Sequence, residues 1–239
     1  MRVAELWRFP VKSLQGEQVR SSEVGPRGLA GDRGWALFDV ATGFGLTARR
    51  MPALLMASAR LVADRDEPAV EIVLPDGTVT VDDAVHTDWL GRPVALRAAE
   101  EVVERRYENP SDTETEAPAS WAAFRGAEGA FHDSVVVTLV SLATLAGQPQ
   151  RRFRANVVLA GGEGEDDLVG RVVRIGEAAV DVAKPVSRCV MVTRAQPGGI
   201  AVDREILRRI HRERDGLLAV GGSVTRPGTV RVGDELIPA

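Results

Sequence analysis

Short runs of alternating or β-branched apolar residues, separated by glycine and proline, make up most of the first half of the chain. Alternation with a period of two turns one face of an extended segment towards a core, so these runs predict β-strands. The predicted strands cover 3–9, 35–40, 54–62 and 70–74. A turn at 75–78 then leads into another alternating run, which predicts a β-hairpin.

The next stretch contains a predicted helix and a change in composition. The pattern predicts a short helix over Asp83–Leu90 and a strand over Val94–Ala98. From 100 to 120 the periodicity disappears and the sequence becomes acidic, with prolines, which is typical of a boundary between domains. We therefore predict one domain over 1–118 and a second over 119–239.

The second half returns to β-branched runs. They predict strands over 134–140, 156–160, 171–175, 178–183 and 189–193, and a closing strand over 228–236. Ser141 can cap a short helix that ends at Gly147. The clearest helix covers 203–215, because its apolar residues share one face and glycine follows it. The sequence therefore predicts an α+β protein that is mostly β, with a few helices.

Composition excludes several classes of function. The chain has 34 acidic and 30 basic residues, a formal net charge of −4 and 44% apolar residues. This balance gives no overall attraction to nucleic acid or to an anionic membrane surface. No apolar run is long enough to span a membrane, and the charged N-terminus does not resemble a signal peptide. We expect a cytoplasmic protein, since a lone cysteine suits a reducing compartment.

The chain contains one cysteine, Cys189, which directly follows Arg188. A solitary thiol cannot form an intramolecular disulfide, so its alternatives are packing in a core, nucleophilic attack or ligation of a soft metal. The adjacent guanidinium favours the thiolate that attack and ligation require. The residue itself does not decide between these three roles.

Several basic residues are predicted to lie in loops or at strand ends, beside glycine, proline or small polar residues. These positions are Lys12, Arg33, Arg49, Arg154 and Arg188, with Ser13 and Asn156 close to two of them. Each cation alone is typical of a solvated surface. If they converged, they would form a pocket for a strongly anionic ligand, because guanidinium groups bind phosphate in a bidentate manner.

Eight short motifs, in this order, resemble those of the MOSC proteins. They are Pro10-Val11-Lys12-Ser13, Gly28-Leu29-x-Gly31-Asp32-Arg33-Gly34-Trp35, Thr47-Ala48-Arg49, Phe131-x-Asp133-Ser134, Ser141-Leu142, Phe153-Arg154-Ala155-Asn156-Val157-Val158, Ser187-Arg188-Cys189 and Gly228-Thr229-Val230-x-Val232-Gly233-Asp234. The chain is similar to the branch that has an N-terminal MOSC β-barrel domain, which includes the amidoxime-reducing component. The resemblance implies a MOSC-type β-barrel core, preceded by an N-terminal β-barrel-like domain.

The resemblance also implies a cofactor and a set of site residues. Cys189 would be the thiolate ligand of molybdenum, and Asp133 would lie near the metal as a catalytic residue that moves protons or holds a water. The molybdenum cofactor, a molybdopterin, would be bound by the remaining residues of the set. These are Lys12, Ser13, Arg33, Arg49, Ser134, Arg154, Asn156 and Arg188. The family usually has proline where this chain has Ala155, so we expect a looser loop around Arg154 and Asn156.

The activity implied by this resemblance is the reduction of N-hydroxylated compounds such as hydroxylamines, amidoximes and N-hydroxylated bases. One cysteine cannot hold an iron–sulfur cluster, which needs about four protein ligands. Electrons would therefore come from a separate partner, a flavin reductase or a ferredoxin-like protein.

Three other interpretations of Cys189 stay open. Cys189 could belong to a module that carries the cofactor or sulfur without turnover of its own, to a hydrolase with His132, or to an inert core. The three histidines lie far apart in the sequence, which does not favour a zinc site. The glycine- and acid-rich segment 161–167 is interpreted as an exposed acidic turn.

Overall fold

The computed structural model describes residues 1–62, 69–110, 121–125 and 129–239. The strands are β1 (Arg2–Arg8), β2 (Glu17–Val19), β3 (Ser21–Gly25), β4 (Gly28–Leu29), β5 (Trp35–Asp39), β6 (Ser58–Val62), β7 (Ala69–Val73), β8 (Val79–Thr80), β9 (Val94–Ala98), β10 (Arg106–Pro110), β11 (Trp121–Arg125), β12 (Val137–Ser141), β13 (Val157–Ala160), β14 (Arg171–Ile175), β15 (Ala178–Ser187), β16 (Leu217–Arg226), β17 (Gly228–Arg231) and β18 (Leu236–Pro238). The α-helices in these residues are α1 (Asp83–Leu90), α2 (Leu142–Leu145) and α3 (Glu205–Arg214).

An eight-stranded sheet forms the larger part of the fold, in the order β18-β14-β15-β16-β12-β13-β1-β2. It is mostly antiparallel, but β12 and β13 run parallel, with Leu139 opposite Val157. The sheet curls into a half-barrel, and the start of β1 meets the segment that leads into β18. There the Val3 nitrogen donates to the Asp234 carbonyl at 2.8 Å, and the Leu236 nitrogen donates to the Met1 carbonyl at 2.9 Å.

The inward faces of these strands form the main core. Alternate residues of β12, β13, β14 and β15 are almost completely buried, including Leu139, Leu159 and Val180. In β1 the buried residues Val3 and Leu6 are three positions apart, because the register shifts between Val3 and Glu5. Each such side chain contributes about 1.5–3 kcal/mol when it leaves water. The predicted period of two is therefore confirmed where it fixes the inner face of the barrel.

A second core lies between smaller sheets of the first half. The β5–β9 pair, the β6-β7-β8 sheet and α1 surround a cluster that includes Leu37, Leu54 and Ile72. The helix α1 covers the predicted range Asp83–Leu90: the Asp82 side chain caps it by accepting from the Ala84 nitrogen, and Gly91 ends it in a left-handed conformation. The hairpin of β7 and β8 is also as predicted.

Strands from the two ends of the sequence share sheets. β1 and β2 lie in the eight-stranded sheet with β12 to β16, and β3 pairs with β17. The segment that leads to the cavity described below is therefore anchored on the barrel. The predicted domain boundary at 118/119 falls within 111–120, outside the described residues, and the division stays a prediction.

Several predicted elements are wrong. The segment 189–193 is not a strand: Cys189 has extended backbone and precedes a short 3-10 helix, Val190–Thr193. Residues Pro52–Met56 also form a 3-10 helix, because proline favours the first turn of a helix, and the strand begins only at Ser58. The interval after 100 contains β10, although no periodicity indicated it.

The tail and one long strand also differ from prediction. The tail forms two strands, β17 and β18, rather than one. The strand β16 was not predicted, because Gly221 and Gly222 interrupt its apolar run. A Cβ atom on Gly222 would lie 1.8 Å from the Asp181 carbonyl oxygen, so the close pairing with β15 requires glycine there.

Within the described ranges, no helix has the length and apolar character needed to cross a membrane.

Candidate functional site

A cavity of about 260 Å³ lies where the loop after β1, the loop before β5, the loop before β13 and the end of β15 meet. It is lined by all ten residues that the sequence assigned to the site. They are Lys12, Ser13, Arg33, Arg49, Asp133, Ser134, Arg154, Asn156, Arg188 and Cys189. The expected convergence of these segments is therefore present, whereas the role of each residue stays a prediction.

The lining of the cavity is strongly cationic. Lys12, Arg33, Arg49, Arg152, Arg154 and Arg188 supply six positive groups, and Glu108 and Asp133 supply two carboxylates. The whole chain carries a net charge of −4. The cavity is thus a local concentration of positive charge in an acidic protein, which is the arrangement that attracts an anionic ligand.

Three cavity-lining residues have left-handed backbone conformations. The φ angles are 70° at Ser13, 53° at Arg33 and 56° at Arg154. Such conformations are uncommon for residues other than glycine and cost about 1–3 kcal/mol each. Strained backbone of this kind is concentrated at functional sites, where it directs side chains that a relaxed loop would direct elsewhere.

Lys12 and Asp133 form an ion pair at the cavity wall. The Lys12 Nζ atom donates to the Asp133 Oδ1 atom at 2.5 Å and to the Phe131 carbonyl at 3.1 Å, and it lies 4.7 Å from the centre of the Tyr107 ring. Burial lowers the pKa of Lys12, and Asp133 only partly offsets this. The surrounding protein atoms would raise the pKa of Asp133, although its side chain is open to the solvent of the cavity, but neighbouring cations, Lys12 foremost, lower it to about 2. Asp133 is therefore a carboxylate at neutral pH.

Arg33 and Arg154 lie over the same aromatic ring. Their guanidinium carbons are 5.1 and 4.4 Å from the centre of the Phe9 ring. The Arg33 Nη2 atom donates to the Arg154 carbonyl at 3.1 Å, and the Arg154 Nη1 atom donates to the Leu14 carbonyl. Burial, and after it the charge of Arg33, lowers the pKa of Arg154 to about 9. An anion in the cavity would relieve this repulsion.

Two backbone carbonyls hold Arg188, which precedes Cys189 in the chain. Its Nε atom donates to the Leu218 carbonyl and its Nη1 atom to the Phe153 carbonyl, both at 2.7 Å. Its Nη2 atom is buried and has no hydrogen-bond partner among the residues that the structure describes. Burial lowers the pKa of Arg188 to about 10. The thiol of Cys189 is half-buried on the same wall.

Asn156 has a structural role that the sequence did not indicate. Its Oδ1 atom accepts from the nitrogen and the hydroxyl of Thr138, at 3.2 and 3.0 Å, and its Nδ2 atom donates to the Trp7 carbonyl at 3.3 Å. The amide thus joins three neighbouring strands of the barrel. One amide proton is left for a ligand.

The other expected binding residues range from buried, at Ser13, to exposed, at Ser134. The Ser13 hydroxyl accepts from the Ala48 nitrogen at 3.1 Å, which leaves its own proton available to a ligand. Arg49 donates to the Asn109 side chain. Ser134 is exposed on the cavity wall.

The loop around Ala155 is held without the family's usual proline. The Gln150 Nε2 atom donates to the Ala155 carbonyl at 2.6 Å, and the Arg154 nitrogen donates to the Gln150 carbonyl at 3.1 Å. Ala155 itself is completely buried. Gln150 thus holds the backbone at Arg154 and Ala155, and the expected looseness of this loop stays a prediction.

Sequence reasoning missed several cavity residues. Glu108 and Asn109 lie on β10, in the interval that showed no periodicity, so no signal indicated them. Arg152 donates to the carbonyls of Val192 at 3.0 Å and Ala201 at 2.6 Å, and so fixes the 3-10 helix after Cys189. Its position two residues before Arg154, which was predicted to line the site, could have indicated that Arg152 lies there too.

The remaining candidates lie apart from this chemistry. His132 is buried and does not line the cavity, and its Nε2 atom lies 3.1 Å from the Arg27 carbonyl. Burial and the charge of Arg33 lower its pKa. In the described ranges, no three histidine, cysteine or acidic side chains are grouped as metal ligands. Glu165, expected in an exposed turn, is completely buried, whereas its neighbour Glu163 is exposed.

Comparisons with known proteins agree with this architecture. The MOSC N-terminal beta barrel domain matches residues 1–122, and the MOSC domain matches residues 137–237. The chain therefore belongs to the MOSC family, whose domains are associated with binding of the molybdenum cofactor. No curated protein matches the chain.

Two solved structures are similar to this one. The YuaD protein from Bacillus subtilis is 13% identical, with a TM-score of 0.47, over 98% of this chain and 93% of that chain. YiiM from Geobacillus stearothermophilus is 16% identical, with a TM-score of 0.35, over 58% of this chain and 74% of that chain.

The residues present fit a molybdenum cofactor by their chemistry. A soft thiol lies on the wall of a cavity that also presents six cations. Molybdenum sites take sulfur donors, and the dithiolene and phosphate of the pterin are anionic. The buried Arg188 Nη2 atom, which has no partner in the described part of the chain, is a donor that such an anion can satisfy.

Proposed function

We propose that this protein is a molybdenum-cofactor-dependent reductase of N-hydroxylated compounds, such as hydroxylamines, amidoximes and N-hydroxylated bases. The observation that carries the proposal is the position of Cys189 on the wall of a cavity lined by six cations. When bound, the cofactor supplies two-electron redox chemistry at molybdenum.

The chain contributes ligand, charge and shape to this reaction. Cys189 provides the thiolate ligand. Lys12, Ser13, Arg33, Arg49, Ser134, Arg154, Asn156 and Arg188 are the residues that would hold the pterin and its phosphate. Because several of these cations are already fixed by carbonyl groups, binding requires little reorganisation of their side chains.

The Lys12–Asp133 pair is suited to handle protons. Conversion of R–NHOH into R–NH2 and water consumes two electrons and two protons. Asp133 is ionised at neutral pH, so it accepts a proton at Oδ1 from solvent or from Lys12 rather than storing one. The Lys12 Nζ atom holds a proton 2.5 Å away. When the proton comes from Lys12, both groups become neutral, so the pair can pass a proton into the cavity without leaving the buried Lys12 ammonium uncompensated.

Electrons would come from a separate protein, a flavin reductase or a ferredoxin-like donor. The chain has one cysteine and cannot ligate an iron–sulfur cluster by itself. We expect the protein to work in the cytoplasm, where a lone thiol stays reduced.

Metal and pterin analysis of the native protein, beside Cys189→Ser, tests the proposal. We expect stoichiometric molybdenum in the native protein and loss of molybdenum from the folded variant. Turnover of a hydroxylamine with an artificial electron donor then tests the activity. A protein that holds molybdenum but shows no turnover would instead be a carrier of the cofactor or of sulfur, and a native protein without molybdenum would refute both functions.

A further inference from the structure

Asp32 is a buried carboxylate behind the cavity wall. Its side chain is 0% exposed, and it does not line the cavity. Its Oδ1 atom accepts from the Phe9 nitrogen at 2.7 Å, and its Oδ2 atom accepts from the Arg33 Nη1 atom. One oxygen is thus fixed to the end of β1, and the other holds a cation that lines the cavity. A buried carboxylate needs such partners to remain ionised.

Arg33, the cation that Asp32 contacts, lies next to a second cation, Arg154. Arg33 and Arg154 both lie over Phe9, and Arg33 donates to the Arg154 carbonyl. Two adjacent guanidinium groups repel each other before any anion arrives. The carboxylates of Asp32 and Asp133 both offset this repulsion at Arg154, and Asp32 also fixes the guanidinium of Arg33 by a direct contact.

We propose that Asp32 is a positioning residue, which acts through Arg33 by holding its guanidinium beside Arg154 in the orientation that binds an anion in the cavity. The proposal rests on the proposed function only for the identity of that anion, the molybdenum cofactor. It names a residue outside the cavity lining and outside the set expected to touch the cofactor.

The negative charge of Asp32 and its contact with Arg33 have opposite expected effects on anion binding. As a negative charge near the cavity, Asp32 weakens the attraction for anions, so its neutralisation alone would strengthen anion binding. As a support for Arg33, it strengthens binding, so its loss would weaken it. The direction of the change therefore separates the two roles. Asp32→Asn leaves an oxygen that can accept from the Phe9 nitrogen but turns an amide N–H towards Arg33.

The test is a double-mutant cycle on Asp32→Asn and Arg33→Ala, with inorganic phosphate as the probe and calorimetric titration of the cofactor-free protein as the measurement. We expect Asp32→Asn to weaken phosphate binding about tenfold in the wild-type background, which is about 1.4 kcal/mol. In the Arg33→Ala background Asp32→Asn should no longer weaken phosphate binding, because the group through which Asp32 acts is gone and only the strengthening effect of the removed negative charge remains. A purely structural role would weaken binding equally in both backgrounds.

The pair of Asp39 and Arg92 offers a matched control. The Asp39 Oδ1 atom accepts from the Thr42 nitrogen at 2.7 Å and its Oδ2 atom from the Arg92 Nε atom at 2.7 Å, but neither residue of the pair lines the cavity. Asp39→Asn should therefore reduce stability and leave phosphate affinity unchanged. If Asp32→Asn does not fold, Asp32→Glu takes its place. It keeps the charge but displaces the carboxylate, and should weaken phosphate binding in the same way.

Three results would overturn the proposal: tighter phosphate binding by the Asp32 variants, equal losses in both Arg33 backgrounds, or no phosphate binding by the wild-type protein. Molybdenum analysis of the native protein shows whether the positioning role of Asp32 has failed or the proposed reductase function has failed. A native protein without molybdenum, together with the expected non-additive cycle, would refute the reductase and leave Asp32 as the positioning residue of an anion site.

Discussion

The Lys12 Nζ atom lies 2.5 Å from the Asp133 Oδ1 atom, although the two residues are 121 positions apart in the sequence. The lysine side chain is 5% exposed, and that of the aspartate is 75% exposed. The contact therefore joins a buried cation to a carboxylate that the solvent of the cavity reaches. It also joins the first loop of the chain to the loop before β12.

Replacement of Asp133 by asparagine should destabilise the protein by about 1–2 kcal/mol at neutral pH, because the buried Lys12 ammonium loses its ionic acceptor. The low pKa of Asp133, about 2, sets the pH dependence. A carboxylate with a lowered folded-state pKa stabilises the fold above its unfolded pKa of about 3.9 and loses this effect as the pH falls through the folded value.

The measurement is urea unfolding of the wild-type protein and Asp133→Asn across the acid range. The difference between them should be constant near neutral pH and disappear between about pH 4 and pH 2. Glu205→Gln is the control, since Glu205 and its partner Arg208 are both largely exposed, and should change stability by less than about 0.5 kcal/mol. A difference that persists at the lowest pH would contradict the assigned role of the ion pair.

Alkylation of Cys189 should report the positive charge of the cavity. Cys189 is half-buried on a wall with six cations, which attract anionic reagents. Relative to a free thiol, the rate with iodoacetate divided by the rate with iodoacetamide should rise about tenfold at low ionic strength and fall as salt is added. Arg188→Gln should reduce this ratio. Arg209→Gln, on the exposed face of α3, should not. A ratio equal to that of the free thiol at low salt would show that the thiol does not sense the cations.

Glu165 shows what sequence patterning could not resolve within an acidic loop. Its Oε2 atom accepts from the Ser141 nitrogen at 2.8 Å and from the Thr144 hydroxyl at 2.6 Å, so it supports the start of α2. Glu165→Gln should cost about 1–3 kcal/mol of unfolding free energy, because a buried donor loses a charged acceptor. Thermal unfolding beside Glu163→Gln tests this, since Glu163 is exposed and its variant should lie within about 0.5 kcal/mol of the wild type. Equal stabilities of the two variants would be contrary to a buried role.

Local patterns predicted much of the barrel, because alternation within a strand is enough to mark its buried face. They failed where distant contacts decide the outcome. At Cys189 the apolar run suggested a strand, but Arg152 bonds the carbonyls of the segment after it and stabilises a 3-10 helix there. No strand was predicted over β16, whose apolar run contains Gly221 and Gly222, whereas close strand pairing requires glycine at both positions.

At the site, the residue types could be predicted from the sequence, but their arrangement in space could not. The residue types of the cavity followed from motifs in the sequence, but their convergence depends on β1 pairing with β13, across most of the chain. The support of Arg33 by Asp32, and of Arg154 by Gln150, depends on left-handed backbone that no local pattern indicates.

His86 should make the protein sensitive to mild acid. It is completely buried in α1, and burial lowers its pKa below the ordinary value of 6.5, with Asp83 and Asp82 opposing this only in part. As the pH falls below 6.5, the unfolded chain takes up a proton that the folded protein does not, so stability decreases, by at most about 1.4 kcal/mol per pH unit. His86→Leu removes this proton uptake, and its unfolding free energy should fall less steeply than that of the wild type between about pH 7.5 and about pH 5.5.

The unfolding free energy of His86→Leu should still decrease somewhat with falling pH, because burial also lowers the pKa of His132. Parallel curves for the two proteins would mean that His86 accepts a proton as readily in the folded state as in the unfolded one.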